Sequence, residues 1–276
     1  MRIAVVAPST PLDPQLAEGV QAIAAEAFPQ VEIVFSPQCF VRHGHFAGDD
    51  ATRAAAFAEA ANDPAFNAIW CARGGYGSNR MAAAAIDALE PAAREKAYLG
   101  YSDAGFLFAG LYKAGFPHLF HGPMPGDLKR EGGDHAIRRA LSWLANRDPA
   151  ALDTSLAEGL PAAPFNITVL SQLLGTTLEP DLSGHVLMLE DVSEYLYRTD
   201  RALFHITGQP SIQRVAGIRF GRCTDILEND PDFGVDAADL VRHWCTVSGI
   251  PYLGRCDIGH DPGNKIVPFG ASSYLG

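Results

Sequence analysis

The chain has 276 residues, 47% of them hydrophobic and 19% charged, with a formal net charge of −11. That is an ordinary globular composition, and the acidic excess argues against nucleic-acid backbones and anionic membrane surfaces as partners. The five cysteines are widely spaced and form no CxxC pair, which speaks against a zinc knuckle or a disulfide framework and for free thiols in a reducing compartment.

The opening apolar run is closed by Pro8, so it is too short for a signal peptide and suits a first strand over 3–7. No stretch approaches the roughly 18 apolar residues of a membrane span, and a cytoplasmic location is expected. Residues 13–28 have helical spacing through Leu16, Val20, Ile23, Ala27 and Phe28, and 31–35 reads as a short β-branched strand. Asp49 and Asp50 open an Ala-rich helix to about residue 62, their charges well placed at its N-terminus. A third strand over 68–72 runs into the loop Arg73-Gly-Gly-Tyr-Gly-Ser-Asn-Arg80 and a helix over 81–90. Another apolar run stops at Gly100, turns through Tyr101-Ser102-Asp103 and continues as a helix from Phe106, followed by a strand at 117–121 and a helix at 134–145. This alternation predicts a doubly wound parallel sheet of Rossmann or flavodoxin type.

Pro149, Pro161 and Pro164 then fall among small residues without apolar period. The expected division is an α/β domain over 1–148, a linker over 149–164 and a smaller α/β or β-rich domain over 165–276. In the second domain, strands at 184–190, 215–220 and 253–258 alternate with helices near 198–208 and 236–248.

Ser102 would sit on a strand-to-helix elbow at the carboxyl edge of the sheet, where open α/β proteins place their chemistry. The plainer alternative is that Ser102 or Asp103 caps the following helix. A serine attacks only with a general base held by a third polar group. Among nine histidines, His260 has the most suggestive setting, after a strand and in the Gly/Pro/Asn-rich loop Asp257-Ile-Gly-His-Asp-Pro-Gly-Asn264; a merely solvated loop histidine is the alternative. His43 and His45 form an HxH pair that would need a third ligand to hold metal. Glu190-Asp191 ends an apolar strand, so a partner is expected, either a catalytic histidine or Arg198 or Arg201 in a structural ion pair. The order Ser, Glu, His is that of α/β-hydrolases, although Ala104 stands where their elbow has its last glycine. The Gly74-Gly75 loop matches no Walker A or Gly-x-Gly-x-x-Gly pattern. It could cradle a phosphate, or let a backbone N–H form half of an oxyanion hole with the Asp103 N–H as the other half.

Five segments fall in a familiar order: Arg73 to Arg80, Gly100-Tyr-Ser-Asp103, His121-Gly-Pro-Met124, Leu189-Glu-Asp-Val-Ser-Glu194 with Tyr197 to Arg201, and Gly259-His260 with Asn264 and Pro268-Phe-Gly270. Together they resemble the LD-carboxypeptidases (muramoyltetrapeptide carboxypeptidases) and the related microcin-immunity serine peptidases. One departure is Phe165-Asn-Ile-Thr-Val-Leu170, where the family more often has Gly-Gly-Asn-Leu, which bears on local loop packing and pocket shape. The resemblance implies Ser102 as nucleophile, His260 as base and Glu190 orienting it, with an oxyanion hole from the Gly75 and Asp103 backbone. It implies a homodimer, a murein tetrapeptide substrate cut at its diaminopimelate–D-Ala bond, and no metal or organic cofactor. For the free carboxylate, Arg73 and Arg80 flank the glycine loop and could make bidentate contacts, or could instead brace it as ion pairs; Tyr76 and Tyr101 complete the expected substrate-binding set. Hydrolysis of an aminoacyl-nucleotide conjugate, a non-catalytic binding module and a nucleotide-binding switch are the alternatives.

Overall fold

The computed structural model describes residues 1–156 and 160–270. Among these, the first sheet takes β1 (Arg2–Val6), β2 (Glu32–Phe35), β3 (Ala68–Cys71), β4 (Ala97–Gly100) and β5 (Leu119–His121), all parallel. Its strand order is β2-β1-β3-β4-β5, extended beyond β5 by an antiparallel edge strand described below. Parallel strands are buried on both faces and read as near-continuous apolar runs. In β1, Ala4 and Val6 pack on one side and Ile3 and Val5 on the other. Helices α1 (Pro14–Ala27) and, later in the chain, α5 (Gly133–Asn146) cover the second side. The first side is covered by α2 (Asp50–Asn62), α3 (Ser78–Asp87) and α4 (Gly105–Lys113). The sheet is therefore doubly wound, and its order reverses between β1 and β3. The crevice at that reversal, outside the carboxyl ends of the strands, is where such sheets bind ligands.

The second sheet is also parallel, in the order β6 (Ala162–Asn166), β7 (Val186–Val192), β8 (Gly217–Thr224), β9 (Tyr252–Arg255). Helices α6 (Ile167–Leu173), α7 (Leu196–Gly208) and α8 (Ala237–Ser248) connect or cover these strands. The strand-and-helix pair β6–α6 went unseen in the sequence. The prolines that suggest a connection over 149–164 sit at its start and middle, yet all five residues of β6 are buried. Apolar side chains of α4, β6, α6, β7 and α7 join one continuous core, so the two sheets share buried surface. The last strand, β10 (Val267–Pro268), leaves the second sheet and pairs antiparallel with β5 in the first. All five cysteines are free; Cys223 is half-exposed and the others are buried.

Two boundaries moved for identifiable reasons. α3 begins at Ser78 rather than 81, because a distant carboxylate supplies its missing cap, as the site below shows. β7 begins at Val186 rather than 184, because Gly184 adopts φ = 74° and turns the chain.

Candidate active site

The loop after β4 holds Ser102 at φ = 61°, a left-handed conformation that non-glycine residues seldom adopt and that clusters at functional sites. Neither Ser102 nor Asp103 caps α4, which has no side-chain cap, so that expectation is corrected. Asp103 caps α3 instead. Its carboxylate accepts hydrogen bonds from the Ser78 backbone N–H (2.8 Å) and the Ser9 hydroxyl (2.5 Å), and its carbonyl accepts from the Ser78 hydroxyl. Burial lifts the Asp103 carboxyl above the ordinary range, against the pull of these donors. One buried side chain thus ties together the loops that follow β1, β3 and β4.

The glycine loop approaches Ser102 too closely for side chains. A Cβ on Gly74 would stand 2.8 Å from Ser102 Oγ, and one on Gly75, at φ = 119°, would stand 2.6 Å from Thr10 Cγ2. Contacts this short leave glycine as the fitting residue at both positions.

Across the crevice, His260 Nε2 lies 2.9 Å from Ser102 Oγ, and its Nδ1 lies 2.6 Å from Glu190 Oε2. Glu190 is fully buried and His260 almost so. With the carboxylate as acceptor, Nδ1 carries the proton and Nε2 is left to accept from the Ser102 hydroxyl. Burial disfavours the imidazolium, but the Glu190 charge and hydrogen bond outweigh it, so the His260 pKa is raised above its usual 6.5. Glu190 reaches this position through a register shift between β7 and β8 around it, between Leu189 and Asp191. Such a bulge re-aims a side chain. Its neighbour Asp191 is pushed up to about 7, first by burial and then by the Glu190 charge. Asn166 Nδ2 donates to Asp191 at 2.8 Å, as do the Thr168 and Val192 backbone N–H groups at 3.2 and 2.9 Å. The two adjacent carboxylates therefore have separate partners, and neither pairs with Arg198 or Arg201. Arg198 meets Glu194 at 3.6 Å, and Arg201 lies over the Tyr197 ring.

The His260 loop is braced from both sides. Asn264 Oδ1 accepts from Gly259 N–H (3.3 Å) and from His121 Nε2–H (3.2 Å), and burial pushes the His121 pKa down to about 4, which keeps that ring neutral. Arg139 of α5 donates to the Pro262 and Asn264 carbonyls at 2.7 and 2.9 Å. The Tyr101 ring lies 4.7 Å from that of His260, and its hydroxyl donates to Asp127 at 2.7 Å.

Ser102 opens onto two cavities. The first, about 340 Å³, has Arg73, Lys129 and Arg130 in its wall together with Tyr101 and His260. Arg130 Nε contacts Asp127 at 3.3 Å, and Lys129 is driven below its usual pKa first by burial and then by the charges of Arg73 and Arg130. Asp127 and Asp225 line the same wall, so its three cations stand beside two carboxylates. The second cavity, about 390 Å³, is reached over Gly75 and includes Tyr76, Asp103, Asn166 and Glu194. Of the residues singled out in the sequence, Ser102, Glu190, His260, Gly75, Asp103, Arg73, Tyr76 and Tyr101 converge here. Arg80 does not: it pairs with Asp50 at 2.9 Å and covers the Phe46 ring, lining a separate hollow with His43. Among the described residues no three His, Cys, Asp or Glu side chains gather as metal ligands, at His43 and His45 or elsewhere. No helix of the described residues is long and apolar enough to cross a membrane. Sequence reasoning missed Lys129, Arg130 and Asp127, whose one local signal was the basic pair closing His121-Gly-Pro-Met-Pro-Gly-Asp-Leu-Lys-Arg130.

Family comparisons agree with this geometry. Residues 3–122 match the LD-carboxypeptidase N-terminal domain and residues 164–275 the LD-carboxypeptidase C-terminal domain. A Synechocystis protein named as a carboxypeptidase is 32% identical over 282 residues, covering 99% of this chain and 91% of its own. The murein tetrapeptide carboxypeptidase of Pseudomonas aeruginosa is 24% identical over 85% of this chain and 80% of its own. Among solved structures, muramoyltetrapeptide carboxypeptidase from Oxalobacter formigenes superposes with a TM-score of 0.79 at 23% identity, covering 98% of this chain and 93% of that one. The microcin C7 self-immunity protein MccF in complex with aspartyl sulfamoyl adenosine shares the fold with a TM-score of 0.78 at 18% identity, over 98% and 91% of the two chains. Matched by both domain models and by a relative along nearly its whole length, the chain belongs to the LD-carboxypeptidase family and is a carboxypeptidase.

Proposed function

We propose that this chain is a serine LD-carboxypeptidase that releases the terminal D-Ala of a murein tetrapeptide during cell-wall recycling in the cytoplasm. The observation that carries the reading is the unbroken Ser102–His260–Glu190 chain, at 2.9 and 2.6 Å. Ser102 Oγ attacks the carbonyl preceding the D-residue while His260 Nε2 takes its proton and Glu190 steadies the imidazolium. The backbone N–H groups of Gly75 and Asp103 receive the developing oxyanion. His260 returns the proton to the leaving amine, and a water activated by the same nitrogen then hydrolyses the acyl-enzyme. In this reading 1–148 carries the nucleophile, 165–276 carries His260 and the Glu190 that orients it, and Arg73, Lys129 and Arg130 bind the free carboxylate.

The test is D-Ala release from L-Ala–D-Glu–meso-diaminopimelate–D-Ala by the wild type and by Ser102→Ala. Release by the wild type alone supports the reading; release by both removes Ser102 from the mechanism, and release by neither removes the substrate. A second reading, hydrolysis of an aminoacyl-nucleotide conjugate, draws on the hollow of about 560 Å³ next to the first cavity, whose wall combines Arg42 and His45 with Arg73 and Lys129. Cleavage of such a conjugate with the tetrapeptide left intact would favour it.

A further inference from the structure

Resting on the reading above, in which the Gly75 N–H receives the oxyanion, we infer that Thr10 is the positioning residue for that donor. Its buried hydroxyl fixes the tilt of the Gly74–Gly75 peptide.

Thr10 stands in the loop after β1, next to the Ser9 that binds Asp103. Its Oγ1 donates to the Gly74 carbonyl at 2.8 Å, and the residue is 6% exposed. A trans peptide is planar, so its carbonyl oxygen lies beside the following Cα and its N–H beside the preceding one. The two edges of the Gly74–Gly75 unit have different neighbours. The edge carrying the oxygen and Gly75 Cα faces Thr10: a Cβ on Gly75 would meet Thr10 Cγ2 at 2.6 Å and Oγ1 at 2.7 Å. The edge carrying the N–H and Gly74 Cα faces Ser102. A Cβ on Gly74 would stand 2.8 Å from Ser102 Oγ and 3.7 Å from the Asp103 nitrogen, the other expected donor. Tying the oxygen to Thr10 therefore keeps the N–H turned toward Ser102.

Glycine permits this tilt but does not fix it. Without a Cβ, and at φ = 119°, Gly75 could let the peptide rotate and carry its N–H away. Thr10 removes that freedom because it is itself anchored. The Ala7 N–H and carbonyl both pair with the buried Gln38 amide, at 3.0 and 2.8 Å, and the Ser9 carbonyl accepts from the Ala47 N–H at 3.0 Å. Arg53, 1% exposed, donates to the Pro8 and Gly77 carbonyls and so rivets this loop to the far end of the glycine loop. Ser9 and Thr10 are thus consecutive hydroxyls serving the two halves of one oxyanion hole, the first through Asp103 and the second through Gly74.

The experiment compares full-length Thr10→Val, which keeps the branched shape and loses the donor, with Thr10→Ser, which keeps the donor. Thr10→Val should lower kcat for D-Ala release about 10–10²-fold, as for a misaimed rather than a missing donor, with KM nearly constant. Thr10→Ser should stay within about threefold of the wild type. The acidic limb of kcat/KM should hold its place in both, since His260 and Glu190 are untouched. Equal losses in the two variants, or a limb that moves with the loss, would overturn the assignment. If Thr10→Val does not fold, Thr10→Ala against Thr10→Ser makes the same comparison without a second methyl beside the Gly74 carbonyl. A fluorophosphonate probes the hole without a peptide, because its phosphoryl oxygen enters it as Ser102 attacks. Its labelling rate should fall about 10–10²-fold in Thr10→Val and hold in Thr10→Ser. If that pattern appears while the wild type releases no D-Ala, the carboxypeptidase reading fails and the Thr10 assignment stands. Unchanged labelling in Thr10→Val overturns the assignment whatever the substrate.

Discussion

Ser102 and His260 meet from two sheets that hold them by different means. On the first sheet, position is set by backbone: a left-handed Ser102, two glycines without room for a Cβ, and Asp103 capping a neighbouring helix. On the second, position is set by side chains: a register shift that aims Glu190, and an Asn264–His121 contact that steadies the loop of its imidazole partner. Backbone-set geometry tolerates almost no added volume. Side-chain-set geometry tolerates changes of shape better than changes of charge. The contrast teaches that alanine substitutions test the first half of the site, and isosteric neutralisations test the second.

The largest effect should come from Ser102→Ala, which removes the one atom shared by both halves; D-Ala release should fall by about 10⁴–10⁶-fold. Glu190→Gln comes next, with a loss of about 10⁴-fold in kcat from the wrong imidazole tautomer. Its pH profile sharpens the comparison. The Glu190 charge raises the His260 pKa, and the neutral ring is the active form, so activity rises with pH through that value. Removing the charge should move the acidic limb of kcat/KM to lower pH even as the maximum falls. An unmoved limb would mean that another group titrates. If Gly75 N–H is the oxyanion donor proposed above, Gly75→Ala should cost about 10²–10³-fold in kcat by displacing it, and a thermal melt should show the fold retained. Asp103→Ala should lower stability by about 1–3 kcal/mol in urea titrations, because it leaves Ser78 N–H and the Ser9 hydroxyl buried without their acceptor. The smallest effect belongs to Arg80→Ala, an exposed pair with Asp50; stability should change by less than about 1 kcal/mol, with kinetics unaltered.

These expectations also mark what the sequence could disclose. The strands β1 and β3 and the Ser102 elbow were legible because apolar runs broken by proline or glycine have a local signature. Ser102, Glu190 and His260 could be set side by side from their chain order, but roles came only through the five family segments, since nothing local says that residues 158 positions apart share a hydrogen bond. β6 was hidden because its short run of small and proline residues resembles a connection, and its burial comes from α4 and β7. Arg130 and Glu194 were invisible for a related reason. Each lies among charged or polar neighbours along the chain, and only the folded crevice brings Arg130 and Glu194 to opposite sides of Ser102. Arg80 shows the reverse error: adjacency to the glycine loop in sequence suggested adjacency to the site, whereas the first turn of α3 carries it out to Asp50.

The course of the chain after β9 has a consequence of its own. Between Arg255 of the second sheet and Val267 in the first, residues 256–266 are anchored at both ends, with His260 near the middle. The segment works as a stitch, tacked between its ends by Arg139 and His121. A chain ending before Val267 would keep those tacks but lose the far anchor, so the Ser102–His260 distance should loosen while each sheet keeps most of its own core. Assembly of the site thereby waits on a pairing made far from Ser102 in sequence, β10 against β5, and a peptidase lacking that pairing would be inactive.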